Sequence, residues 1–167
     1  MNMCLIGMPS SGKSVLGVLL AKKLGMSFLD MDLVIQEKTG QLLREIIAER
    51  GREGFLLLEE EVGAELSMNN TVLAPGGSIC YGKRAMEHLR ETSLVIFLDV
   101  PFSEVEKRIG DPVKRGVAIP EGFTLRDLYN ERKALYLQYA HEILNEEGLN
   151  PEECVEALVR IVEKHRR

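Results

Sequence analysis

Gly7-Met8-Pro9-Ser10-Ser11-Gly12-Lys13-Ser14, or GMPSSGKS, is the stretch on which the fold of this chain turns. It fits G-x-x-x-x-G-K-[ST] at every fixed position, the pattern of a loop that cradles nucleotide phosphates. Gly7 and Gly12 let the backbone turn tightly and approach an anion. The N–H groups along Gly7, Met8, Ser10, Ser11 and Gly12, with those of Lys13, Ser14 and Val15 opening the next helix, then face that anion. Lys13 brings a mobile ammonium to the β- and γ-phosphates, and the Ser14 hydroxyl is a ligand for Mg²⁺. Met3-Cys4-Leu5-Ile6 before the loop is a short apolar strand, and Ser14 to Leu24 after it has helical composition. Strand, loop and helix in that order are the setting in which the pattern binds ATP.

The bulk numbers place this loop in an ordinary enzyme. A chain of 167 residues is one domain of residues 1–167, long enough to bury about 68–70% of its unfolded surface. A net charge of −5 gives no electrostatic support for a nucleic-acid partner. No leader-like segment and no apolar run of membrane-spanning length is present, so a soluble, cytoplasmic protein without a membrane partner is expected. Cys4, Cys80 and Cys154 are too scattered for a disulfide framework or zinc knuckle, and His88, His141 and His165 suit structural or surface roles. Lys164 to Arg167 is expected to be a solvated, fraying tail.

Downstream, Ser27-Phe28-Leu29 reads as a strand ending at Asp30 and Asp32. Two residues apart on extended chain share a face, which would aim both carboxylates at the carboxyl edge of the sheet. Like charges so close call for a cation beside them, although one aspartate could instead cap the following helix. Helices are expected over 42–50 and 53–66 with Gly51 between them, then a strand at Thr71–Ala74 and an irregular turn at Pro75-Gly76-Gly77-Ser78. Ser93 to Leu98 is the most β-branched run and suits a central parallel strand. Pro101 and Ser103 open a helix to about Ile109. Gly110 to Phe123 offers no packed element and reads as a lid. A helix from Thr124 carries Arg132 on its apolar stripe, where a guanidinium needs a structural carboxylate, an outward path or an anionic ligand. Pro151 to Lys164 closes the chain as an amphipathic helix.

GMPSSGKS, FLDMD, Thr39-Gly40, GREGFLLLEEE, PGGS, KRG and NERKALYLQYA follow one another in the order and spacing of the shikimate kinases, which the chain resembles over nearly its whole length. The resemblance implies an α/β, three-layer P-loop kinase fold, with a five-stranded parallel sheet of order 2-3-1-4-5 flanked by helices. It also implies a last strand near His141 to Asn145, where periodicity alone reads helix. It places an acceptor-binding region over about 32–62 and a mobile lid over about 110–124. ATP is the implied donor, with Mg²⁺ held by Ser14 and, through the metal's waters, Asp30. Asp32 is implied as the base, Lys13 and Arg115 as catalytic cations, and Arg108 and Asn150 as neighbours of the adenine. Gly76, Gly77 and Arg132 are implied to hold the acceptor. The implied reaction converts shikimate to shikimate 3-phosphate in a monomer acting on a small molecule.

The chain departs from this pattern at the acceptor. Leu56 stands where the family has a carboxylate-binding arginine, while Glu59, which steadies that arginine, is present. Ser78 replaces a third glycine, and Arg115-Gly116-Val117-Ala118 replaces R-P-L-L. Losing one charge-assisted contact forgoes about 1.5–3 kcal/mol, roughly ten- to a hundred-fold in affinity. Arg52 and Arg84 are candidates to replace it. The alternatives are a same-fold kinase for another hydroxyl compound (homoserine, gluconate or a nucleotide), or a nucleotide-operated switch, which would want an N-K-x-D segment that the chain lacks.

Overall fold

The computed structural model describes residues 1–167. β1 (Met3–Ile6) runs into the phosphate-binding loop and α1 (Lys13–Leu24), followed by β2 (Ser27–Asp30), α2 (Met31–Thr39) and α3 (Leu43–Glu65). β3 (Thr71–Ala74), a 3₁₀ turn (Gly77–Tyr81), α4 (Lys83–Thr92) and β4 (Leu94–Asp99) come next. α5 (Phe102–Ile109), α6 (Leu125–Tyr139), β5 (Glu142–Asn145) and α7 (Pro151–Arg166) complete the chain.

The five strands form one sheet of order β2-β3-β1-β4-β5, and every pairing is parallel. β1, β3 and most of β4 are apolar and fully covered, as strands sandwiched between helical layers must be. One core, around Ile6, Met31, Met86 and Tyr136, lies on one face of the sheet. A second, around Leu5, Leu20, Ile96 and Leu158, lies on the other. Alternate residues of β1 therefore feed opposite layers. Because all strands run the same way, the loops after β1, β2, β3 and β4 gather at one rim. No helix is long and apolar enough to cross a membrane.

Several local expectations need correction. Asp32 is not on extended chain: α2 begins at Met31, and Asp30 caps it by accepting the Asp32 N–H through Oδ1 at 2.9 Å. The break expected at Gly51 is present: its φ of 70° and ψ of −179° are non-helical and divide α3 into two helical halves with no loop between them. Gly77 to Tyr81 is a 3₁₀ turn rather than irregular chain. α4, absent from the expected elements, begins at Lys83 after Gly82, with no side-chain cap to mark its start. The C-terminal residues are exposed as expected, but α7 runs through Arg166, and Lys164 Nζ and His165 Nε2 meet Glu142 Oε1 at 3.0 and 2.7 Å.

The three cysteines are free and buried. The other two histidines serve the frame. A ring nitrogen of His88 lies 2.7 Å from the Leu66 carbonyl, and His141 Nδ1 accepts the Val95 N–H at 3.0 Å.

Candidate active site

The carboxyl rim opens into a cavity of about 490 Å³. Lys13 and Ser14 reach it from the phosphate loop, Asp30 and Asp32 from the β2–α2 junction, and Leu56 and Glu59 from α3. Gly76, Gly77 and Ser78 follow β3, Arg115 comes from the loop after α5, and Arg132 from α6. Residues far apart in sequence thus converge because parallel strands deliver their loops to one edge.

The loop itself is held in demanding geometry. Gly12 has φ 92°, and Ser10, though not a glycine, sits at φ 65°. A Cβ at Gly7 would come within 2.9 Å of the Leu98 carbonyl, so no side chain fits there. Ser11 is fully buried and its Oγ has no partner, while Met8 is also buried. Val15, one turn into α1, is exposed.

Lys13 Nζ donates to the carbonyls of Gly7 and Met8, each at 2.8 Å. Burial pulls its pKa down to about 8, helped by the Arg132 guanidinium and opposed by Asp32. A buried ammonium in this state gains from any anion delivered to the loop.

Asp32 is half-buried, and desolvation raises its pKa, with the Asp30 carboxylate pushing the same way and Lys13 opposing. Glu59 is almost wholly buried. Its Oε1 accepts from Ser78 Oγ at 2.7 Å, while Oε2 has no partner. Desolvation lifts the Glu59 carboxyl to about 7, against the pull of Ser78. A Cβ built on Gly76 would lie 3.0 Å from Glu59 Oε2 and 3.4 Å from Asp32 Oδ1. Two carboxyl groups therefore flank the bare backbone of Gly76.

Gly77 is equally confined: a Cβ there would stand 2.9 Å from Pro9 Cδ and 3.0 Å from Arg132 Nη1. Its carbonyl accepts from the buried Tyr136 hydroxyl at 2.6 Å. Arg132 is buried with Nε unpartnered, and it forms no ion pair with a carboxylate of the protein. It neither snorkels outward nor meets a structural carboxylate, which leaves an anionic ligand as its remaining complement.

On the nucleotide side, Arg108 donates from Nη1 to the Ser10 carbonyl at 3.2 Å and pairs with Glu104 at 3.1 Å. Arg115 donates from Nη2 to the Arg108 carbonyl at 3.1 Å, so the two expected arginines touch. Arg108 also lines a second cavity of about 390 Å³ with Pro101, Glu146 and Leu149. Asn150 caps α7, accepting the Glu153 N–H at 2.8 Å, next to Leu149. Glu146 is unanticipated: burial lifts it to about 7 beside Arg108, which opposes the shift. Tyr81, whose ring lies under the guanidinium groups of Arg52 and Arg132, also lacked a sequence signal.

Ser14, Asp30 and Asp32 line the cavity as hard oxygen donors, a set that suits Mg²⁺ better than a soft metal. No group of three or more His, Cys, Asp or Glu side chains is arranged to hold a metal ion by itself.

The family model for shikimate kinase matches residues 9–163. A shikimate kinase of Clostridium botulinum (strain Alaska E43 / Type E3) is 37% identical over 161 residues, covering 95% of this chain and 94% of that protein. One from Nostoc punctiforme is 32% identical over 164 residues, covering 96% of this chain and 90% of that protein. Among solved structures, shikimate kinase from Acinetobacter baumannii in complex with shikimate has a TM-score of 0.85 at 28% identity, covering 98% of this chain and 93% of that one.

Proposed function

The chain belongs to the shikimate kinase family, and we propose that its rim cavity transfers the terminal phosphoryl group of ATP to a hydroxyl of shikimate. The observation that carries this is the convergence of Lys13, Asp32 and Arg132 on one cavity. A phosphate-binding cation, a carboxylate and an unpaired guanidinium are what a hydroxy acid acceptor and a nucleotide donor require together.

The loop from Gly7 to Val15 and the ammonium of Lys13 hold the phosphates of the donor and neutralise charge that grows as the phosphoryl group moves. Ser14 and Asp30 would hold Mg²⁺, which supplies further charge neutralisation when bound. Asp32 accepts the proton of the attacking hydroxyl, which requires the carboxylate form although burial raises its pKa. Gly76 and Gly77 present bare backbone to the acceptor, with Glu59, Ser78 and Leu56 shaping the wall behind it. Arg132 holds the acceptor carboxylate. Residues 110–124 act as a lid that carries Arg115 toward the phosphates, and Arg108 and Asn150 border the base. Every residue given a role lies in one chain, and the enzyme is taken as a cytoplasmic monomer of one domain.

A coupled ADP-release assay over a panel of hydroxyl acceptors tests this. Shikimate at millimolar concentration should give saturable turnover that homoserine and gluconate do not. Turnover with one of those and none with shikimate would overturn the acceptor assignment.

A further inference from the structure

The missing arginine at Leu56 leaves the acceptor carboxylate one guanidinium short, and α3 carries a substitute one helical turn earlier. Arg52 is four residues before Leu56 on the same helix, so both project from one face of α3. Gly51, non-helical at φ 70° and ψ −179°, makes Arg52 the first residue of the second half of the helix. Both Arg52 and Leu56 line the rim cavity.

The guanidinium of Arg52 lies over the ring of Tyr81, 5.1 Å from its centroid, and Arg132 lies 5.5 Å from the same centroid. Neither forms an ion pair with a carboxylate of the protein. Both guanidinium groups lie at one aromatic ring and line one cavity, and a planar carboxylate there matches the fork of each. Tyr81 is itself anchored, donating its hydroxyl to Glu131 Oε1 at 2.7 Å. Arg84, the other candidate, is paired with Glu60 at 3.7 Å, is 65% exposed at its side chain and is absent from the cavity wall.

We propose that Arg52, positioned by the Gly51 kink and the Tyr81 ring, joins Arg132 in clamping the carboxylate of the acceptor and so determines acceptor specificity in place of residue 56. This rests on the function proposed above.

The test compares shikimate with its neutral carboxamide in the wild type, Arg52→Ala, Arg52→Lys, Arg84→Ala and the double variant Arg52→Ala with Leu56→Arg. Arg52→Ala should raise the KM for shikimate roughly ten- to a hundred-fold while the KM for ATP stays within about twofold. The preference for shikimate over the carboxamide should shrink by a similar factor. Arg52→Lys should recover only part of the loss, because an ammonium cannot form the fork. Leu56→Arg should restore shikimate affinity to the Arg52→Ala protein, and Arg84→Ala should match wild type. An active wild type whose shikimate KM and carboxamide preference survive Arg52→Ala overturns this inference and leaves the proposed function standing. A wild-type protein inert toward shikimate overturns both.

Discussion

Ser78 donates its hydroxyl to Oε1 of Glu59 at 2.7 Å, giving a buried carboxyl group one partner in a site whose family arginine is Leu56. One departure from the family pattern, Ser78, therefore meets the glutamate that the other, Leu56, leaves without an arginine. The serine occupies a glycine position and takes over part of the stabilisation that the arginine would give the glutamate.

The burial of Glu59, which the Ser78 bond only partly offsets, makes stability depend on pH. Glu59 has an ordinary value of 4.5 and about 7 in the fold, chiefly through desolvation. A raised carboxyl pKa means that the folded state binds the proton more tightly, so stability is fullest below 4.5, falls as pH rises toward 7 and then levels off. At about 1.4 kcal/mol per pKa unit the span is on the order of 3 kcal/mol. Glu59→Gln keeps an acceptor for Ser78 and should flatten this slope in thermal melts between pH 5 and 8. A slope unchanged from wild type would show that other groups govern it.

Asp32→Asn should lower kcat by about 10²–10⁴ while the Kd for nucleotide changes little, since the carboxylate serves the proton of the acceptor rather than the phosphates. Turnover near wild type would remove Asp32 as the base. Because burial raises its pKa, wild-type kcat/KM should also fall as pH drops into the acid range.

Lys13→Ala removes both the ammonium and its 2.8 Å bonds to the Gly7 and Met8 carbonyls. With each charge-assisted contact worth about 1.5–3 kcal/mol, kcat/KM for ATP should fall at least roughly a hundredfold. Initial rates against ATP measure it directly.

Gly77→Ala forces a methyl against Pro9 Cδ at 2.9 Å and Arg132 Nη1 at 3.0 Å. Overpacking of this kind costs about 1–3 kcal/mol, and here it also displaces the guanidinium assigned to the acceptor. Denaturant melts should report the lost stability, and the KM for shikimate should rise more than that for ATP.

Much of the frame is legible because its signals are local. GMPSSGKS marks a strand-to-helix turn, an apolar run marks β1 and a β-branched one β4, and Thr124 with Asp127 or Asn150 with Glu153 writes a capping box into the chain. β5 is different. Glu142 to Asn145 buries only Leu144 fully and leaves Ile143 half exposed, so four residues at a sheet edge carry too little periodicity to tell strand from helix. The resemblance to a family supplied that strand and the sheet order, which no single segment encodes.

Within the cavity, Asp30 and Asp32 are found together, but through a helix cap rather than the alternation of a strand. The ring of Tyr81 under Arg52 and Arg132 and the bond between Ser78 and Glu59 join residues 19 to 51 positions apart. They follow from how α3, α6 and the 3₁₀ turn pack, and no spacing rule reaches that far.

The most direct measurement is phosphorus NMR of shikimate incubated with the protein, ATP and Mg²⁺. One new phosphomonoester signal should grow in step with ADP and be almost absent with Asp32→Asn. ADP formed without a phosphomonoester on shikimate, or a signal undiminished by Asp32→Asn, would contradict phosphoryl transfer to an acceptor hydroxyl activated by Asp32.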